Sequence, residues 1–337
     1  MSALPYWMRQ AFALLSCGSE LGYARLMLAA WNPTQPEITD LIVRYDPRTL
    51  QRLPVRKEEV LRVFSESCNR VACRAVEKLP ERAGILDEQY IDRLLIMTHW
   101  EMQRLAEEFY HGHRVWDLLR RVVATIRASG FAETIRIIDV GCGTGYSARW
   151  LAAHVPLAEY RIELLGMDLN LALIREAKRL AAVEGLKCRF FHGDAFSSEH
   201  AGHIFISTGV IHHFRGDALG DFFRRHEHAE AFGFLHYDFQ PSMLAPAGSW
   251  FFHYLRMRTE IARHDGVLSA ARAHQGSTLV SASRAALPGC ASGIYGARIW
   301  NTQFPRVFHT LVGLRRPLLD DFRRKLGLRV GRLGEIG

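Results

Sequence analysis

The chain has no apolar run near the ~20 residues that a membrane-crossing helix needs. Its 337 residues hold only short apolar stretches, such as Phe12–Leu15 and Leu26–Trp31, and Gly18, Glu20 and Arg25 interrupt them. No membrane span and no secretory leader are expected from this pattern. Cysteine is sparse. The six are Cys17, Cys68, Cys73, Cys142, Cys188 and Cys290. None forms a C-x-x-C pair or has a His or Cys partner at zinc spacing, so they read as reduced thiols of a cytoplasmic protein. A broad basic surface is also missing. The formal net charge is +8, but the last 23 residues hold seven Arg/Lys against three Asp/Glu, half of that excess. The remainder is only mildly basic, so a nucleic-acid partner is not expected. The basic tail, 315–337, reads as a solvated helix face. What is plentiful is core-forming material, with 48% hydrophobic and 23% charged residues, the balance of a globular protein.

The third glycine of a dinucleotide loop is missing too. In Ile135–Trp150 an apolar run around Asp139 leads into Gly141, Gly143 and Gly145 and then a helix start. A pyrophosphate site wants G-x-G-x-x-G, and Tyr146 occupies the position that would complete it. The pattern present is Asp-x-Gly-x-Gly-x-Gly. It resembles motif I of the class I S-adenosylmethionine (SAM) dependent methyltransferases, whose loop wraps the amino-acid end of SAM.

Downstream, strands alternate with helices. Strand patterns fall at Ile162–Met167, Cys188–Phe191, His203–Ser207 and Ala231–Leu235, with helices at Leu171–Val183 and Leu219–His228. This predicts a parallel, doubly wound α/β sheet with ligands at the carboxyl ends of the strands. Asp168 stands at the end of strand two, where a carboxylate accepts ribose hydroxyls. The resemblance implies cofactor contacts from Asp139, Gly141, Gly143, Gly145, Asp168 and its neighbour Leu169. It extends them to Asp194 and Ala195 after strand three and Thr208 after strand four. Each acid alone is an ordinary loop residue; it is their order behind this loop that carries weight.

Beyond strand five, Trp250–Arg263 and Ser277–Ala286 read as helices, and Ile294–Trp300 and Val307–Val312 as two last strands. In the family such strands form an antiparallel hairpin at the sheet edge. The run Arg263–Ala273 resembles a segment of methyltransferase-domain proteins from bacterial secondary-metabolite operons. The expected architecture is therefore a seven-stranded Rossmann-like sheet in a methyltransferase domain, 105–314, with a helical insertion at about 243–290. A helical extension, 1–104, would serve as a substrate lid or a dimerisation surface. Within it Lys57–Lys78 reads as one helix, because Val60, Phe64, Cys68, Val71 and Ala75 recur at spacings of three and four.

A neutral histidine suits deprotonation of a phenol or carboxylic acid near pH 7. Candidates at strand ends are His212, His213 and His236, with Asp238 in support, and His212 or His236 is favoured. His264 and Asp265 are further candidates from the insertion, and Tyr110, His111 and His113 from a helix junction. Trp100, Trp116, Trp250, Phe251, Phe252 and Tyr254 could line an acceptor pocket. No metal is expected, because the cluster of His203, His212, His213, His226 and His228 lacks a tight pair with a third ligand. The expected activity is SAM-dependent methylation of a small-molecule oxygen in specialised metabolism. The alternatives are a tRNA or protein methyltransferase and a non-catalytic SAM-fold scaffold. The segment Thr208-Gly-Val-Ile stands where many amino-methylating enzymes acting on DNA, RNA or protein carry Asn-Pro-Pro-Tyr, which favours an acceptor other than a base.

Overall fold

In the computed structural model, residues 33–196, 201–227, 231–242, 245–296 and 307–326 are described. The stretches Phe12–Leu15 and Leu26–Trp31, His228 and the end of the basic tail lie outside them.

The sheet has seven strands: β1 (Ile135–Val140), β2 (Ile162–Asp168), β3 (Cys188–His192), β4 (Ile204–Thr208), β5 (Gly233–Phe239), β6 (Cys290–Tyr295) and β7 (Phe308–Arg315). Their spatial order is 3-2-1-4-5-7-6. Strands β1 to β5 pair in parallel, and β7 runs antiparallel between β5 and β6. The expected edge hairpin is there, but β6 begins at Cys290, four residues before the expected start. Every residue of β5 but the last is buried, because the strand is covered on both faces.

Ahead of the sheet come α1 (Ile38–Ile42), α2 (Lys57–Glu66), α3 (Arg70–Glu77), α4 (Glu88–Glu108) and α5 (His111–Ala128). The single helix expected over 57–78 is two. Cys68 adopts φ 55°, and the Asn69 side chain then accepts from the Ala72 N–H as the cap of α3. Two short two-stranded ladders, 44–45 with 52–53 and 81–82 with 85–86, complete this region. It has its own core of Ile38, Val60, Phe64, Val76, Leu86 and Ile91, which also takes in Leu173 and Ile261. The extension is therefore packed onto both the sheet domain and the insertion.

One face of the sheet is covered by α5, by α6 (Tyr146–His154) and by the C-terminal helix; Leu118, Val122, Leu151 and Phe322 share one core with Ile135 and Leu235. Helix α7 (Leu171–Val183) packs on β3 through Ala177 and Phe190. The other face is covered by α8 (Asp217–Arg224) and α11 (Gly276–Ala286), through Phe222, Phe223 and Leu279. Helix α11 thus belongs to the sheet domain. The inserted elements are α9 (Ala245–Arg256) and α10 (Glu260–Ala271), a pair that replaces the single helix expected at 250–263. The domain also continues past 314. Helix α12 (Leu319–Leu326) buries Phe322 completely, worth ~1.5–3 kcal/mol. Arg323, Arg324 and Lys325 lie against Asp320 and Asp321 on its outer side.

Candidate active site

The glycine loop leaves β1 in a conformation open to few residues but glycine. Gly141, Gly143 and Gly145 have φ of 66°, 55° and 77°. A Cβ on Gly143 would lie 2.4 Å from the His99 ring of α4, and one on Gly141 would lie 2.8 Å from Val210. The loop is tied to strand two through Asp168. One carboxylate oxygen accepts the Gly143 N–H at 2.8 Å and the other accepts the Asn170 N–H at 2.8 Å. Asp139 is buried at the end of β1, and its Oδ1 has no hydrogen-bond partner. Burial, reinforced by the charge of Asp168, pushes its carboxyl up to about 8.

The remaining expected cofactor positions lie along the same sheet edge. The Thr208 hydroxyl lies 2.6 Å from that of Ser147 in the first turn of α6. The Leu169 carbonyl accepts from His192 Nε2 at 2.7 Å. Asp194 accepts the Phe196 N–H at 3.0 Å, and Ala195 packs against the adjoining core. The Tyr45 ring of the extension lies edge-on to His192. The extension therefore reaches both Gly143, through His99, and the end of β3. This edge fits SAM: positive-φ glycines uncover the loop backbone, carboxylates end β2 and follow β3, and Asp139 has an orphaned oxygen.

Beside it lies a second cluster. After Thr208 the chain packs Val210 against Gly141 and makes one 3₁₀ turn, Ile211–His213. His212 Nδ1 lies 2.8 Å from Asp238 Oδ1, and the His212 backbone N–H donates to Asp238 Oδ2 at 3.1 Å. Burial opposes ionisation of Asp238, but His212 and the Phe239 N–H hold its carboxyl down at about 2. An ionised carboxylate only accepts, so His212 Nδ1 carries the proton and Nε2 holds a lone pair. Burial, against the pull of Asp238, lowers the His212 pKa and keeps that ring neutral. Its Nε2 is buried without a hydrogen-bond partner.

Facing Nε2 is Glu37, with Oε1 at 3.6 Å. Glu37 and Asp40 reach the cluster from the start of α1. His213 Nδ1 lies 3.1 Å from Asp40 Oδ1. Arg272 Nη1 donates to Asp40 at 2.8 Å, and its Nη2 donates to the His213 carbonyl at 3.1 Å. Burial, opposed by His213, lifts Glu37 to about 8. Although burial disfavours its charge, His213 is raised to about 9 by Glu37 and Asp40.

The expected candidates thus divide. His212 and Asp238 come together. His236 does not join them. Strand β5 runs four residues beyond the expected Leu235, which places His236 inside the strand, fully buried among Phe222, Phe223 and Phe234 with Nδ1 on Ser207. Asp265 accepts the Ile38 and Thr39 N–H groups at 2.8 and 3.0 Å, with His264 Nδ1 2.7 Å away. Asp265 thus latches α1 in place, and His264 braces it. His111 lies edge-on to Tyr237 and Phe308, and His113 to Trp150. Of the six aromatics expected as lining, Trp100, Trp250, Phe251 and Tyr254 are exposed. Trp116 packs on Tyr160, and Phe252 on Phe109. Sequence reading missed Glu37, Asp40 and His99. Glu37 and Asp40 lie in a proline-broken stretch with no periodic signal, and His99 is one polar residue on a helix.

Residues 137–231 match a family model described as a methyltransferase domain. The match runs from β1 to the threshold of β5 and contains the glycine loop, Asp168, Asp194, Thr208 and His212. Among solved structures, the chain is similar to magnesium protoporphyrin IX methyltransferase from Synechocystis PCC 6803 with bound SAH, at 16% identity and a TM-score of 0.41 over 77% of this chain and 99% of that one. It is also similar to the plantazolicin methyltransferase BamL, at 13% identity and a TM-score of 0.45 over 68% and 99%. A third is a TehB-like SAM-dependent methyltransferase from Corynebacterium glutamicum, at 15% and 0.39 over 65% and 98%. Among the described residues no helix is long and apolar enough to cross a membrane. Residues 137–231, which hold the glycine loop at the centre of the 3-2-1-4-5-7-6 sheet, are thus similar to a methyltransferase domain.

Proposed function

We propose that the chain methylates an oxygen of a small-molecule acceptor, a phenol or a carboxylic acid of specialised metabolism. The observation that carries the reading is the His212–Asp238 pair, with its unpartnered Nε2, on the segment that packs against Gly141. When bound, SAM supplies a methyl activated on a sulfonium, which departs as a neutral thioether. The glycine loop, Asp168, Leu169, Asp194, Ala195 and Thr208 hold the cofactor at the strand ends. The residues opposite hold the acceptor oxygen in line. Positioning of this kind supplies ~7–11 kcal/mol. His212 takes the acceptor's proton on Nε2, worth roughly 10²–10⁴-fold. Asp238 fixes the tautomer and balances the imidazolium that forms. Glu37 and Asp40 at the start of α1 and Ser269 of α10 flank the acceptor side of His212, and so confined a site favours a small molecule over a nucleic acid or protein.

Two measurements test this. Calorimetric titration with SAM should show one site per chain. Transfer of labelled methyl to a panel of phenols and carboxylic acids should then be lost in His212→Ala, with SAM affinity kept. Absence of SAM binding rejects the cofactor assignment, and undiminished transfer in His212→Ala rejects the base.

A further inference from the structure

Two parts of the chain 175 positions apart bring three donor atoms to one point. Glu37, His212 and His213 each offer one ligand atom, all within 4.8 Å of one another. His212 Nε2 is 3.6 Å from Glu37 Oε1, and His213 Nε2 is 3.9 Å from Glu37 Oε2. These are not hydrogen bonds. They approach the ~3.4 Å that separates two ligands each about 2.1 Å from one tetrahedral ion.

Behind each imidazole stands a carboxylate. Asp238 takes His212 Nδ1 at 2.8 Å and Asp40 takes His213 Nδ1 at 3.1 Å. Carboxylates so placed orient a histidine and leave Nε2 as its ligand atom. His212 Nε2 has no hydrogen-bond partner, although its side chain is only 4% exposed. The Ser269 hydroxyl donates to Glu37 Oε1 at 2.9 Å and orients that carboxylate. Charge points the same way. Asp40, Asp238 and Asp265 surround the point, Arg272 lies beside them, and an ion binding there would displace the protons that Glu37 and His213 otherwise hold. Arg272 Nη1 is 3.6 Å from Glu37 Oε1 but bonds to Asp40, and its Nη2 bonds to a backbone carbonyl.

We infer that Glu37, His212 and His213 form a site for a divalent transition-metal ion. Two imidazoles and one carboxylate, with coordination positions left open, suit zinc, iron(II) or manganese(II). Sequence reading assigned no metal because the adjacent histidines had no third ligand nearby, and the fold supplies it from the start of α1. The inference stands on these donor atoms and not on the role of His212 as a base. The two uses of Nε2 exclude each other: a lone pair given to an ion cannot take the acceptor's proton, so the loaded chain is a form with its base withheld.

The test uses the whole chain, stripped with a chelator and dialysed against Zn²⁺ alone, with bound metal measured after desalting. One tightly held equivalent per chain is expected. Glu37→Gln and His213→Ala should each weaken it at least tenfold. Both should keep the parent's circular dichroism and SAM affinity, because neither residue touches the glycine loop. A parent that retains no zinc overturns the site, and so does an equivalent that persists unchanged in both variants. SAM affinity is read separately, so a chain that binds SAM but no zinc fails this inference alone.

Discussion

The Nδ1 of His212 and the carboxylate of Asp238 lie 2.8 Å apart where neither side chain is more than 4% exposed. Asp238 raises the basicity of a ring that burial depresses. Asp238→Asn removes that charge. The acid limb of the rate profile should move to lower pH, and kcat should fall by roughly 10²-fold, within the range of general-base contributions. SAM affinity should stay near the parent value. A pH–rate series on both proteins checks this, and an unmoved acid limb would separate Asp238 from the proton transfer.

Gly143→Ala probes the loop. The new Cβ would meet the His99 ring at 2.4 Å, on a backbone at φ 55°. Left-handed strain alone costs on the order of 1 kcal/mol, and the clash adds to it. SAM affinity should drop by at least about tenfold, the equivalent of ~1.4 kcal/mol. Gly289→Ala, with open space at its Cβ, should leave the affinity unchanged in the same titration.

Asp265→Ala should loosen the extension. Its carboxylate accepts two backbone N–H groups of α1 and the Thr39 hydroxyl. Leaving buried donors unpaired costs ~1–3 kcal/mol. Urea unfolding should show that loss, and limited proteolysis should cut faster near α1. Methyl transfer should fall while SAM affinity holds.

Stability should peak near pH 6.5. Burial, aided by Arg114 and opposed by Asp238, holds His111 at about 3. Burial, opposed by Asp238, holds His309 at about 4. Both stay neutral in the fold, while the unfolded chain takes up their protons below about 6.5. Their contribution is full above that pH and is lost as pH falls towards 4 and 3, with a slope of up to about 1.4 kcal/mol per pH unit for each. The alkaline side has the opposite sign. His213, raised to about 9, gives stability that is full below about 6.5 and is lost as pH rises through 9. Glu37 and Asp139, both lifted to about 8, hold protons that the unfolded chain has released. Between about 4.3 and 6.5 they offset His111 and His309. The acid limb there comes from His212, His236, His253 and His274, which burial also holds below their ordinary value. Above about 6.5 Glu37 and Asp139 add to the alkaline limb. Thermal melts from pH 4 to 9 check the shape, and a curve that rises steadily across the range would contradict these shifts.

The cofactor edge was legible in the sequence because it is local. A glycine loop and acids at successive strand ends need only a strand–helix rhythm to fall on one edge. The acceptor side was less so. Strand β5 alternates polar His236 and Asp238 with Tyr237 and Phe239, so hydropathy ends the strand at its first polar residue. Both polar side chains are in fact buried, one against phenylalanines and one against His212. Spacings of three and four run unbroken from Val60 to Ala75, and the turn at Cys68 carries neither glycine nor proline. Glu37 has no sequence signal at all, since its role comes from docking, through Asp265, onto a turn far along the chain.

That docking makes the cluster a reporter of how two regions hold together. His212 and His213 ride on the sheet domain, while Glu37 and Asp40 ride on the extension, so no ligand spans them unless the regions are joined. By reciprocity, whatever bridges the two sides tightens the joint by the same free energy that the joint lends to its binding. Substitutions at Ile38, Ile261 or Leu173, none of them part of the cluster, should therefore register as changes in ligand affinity at His212.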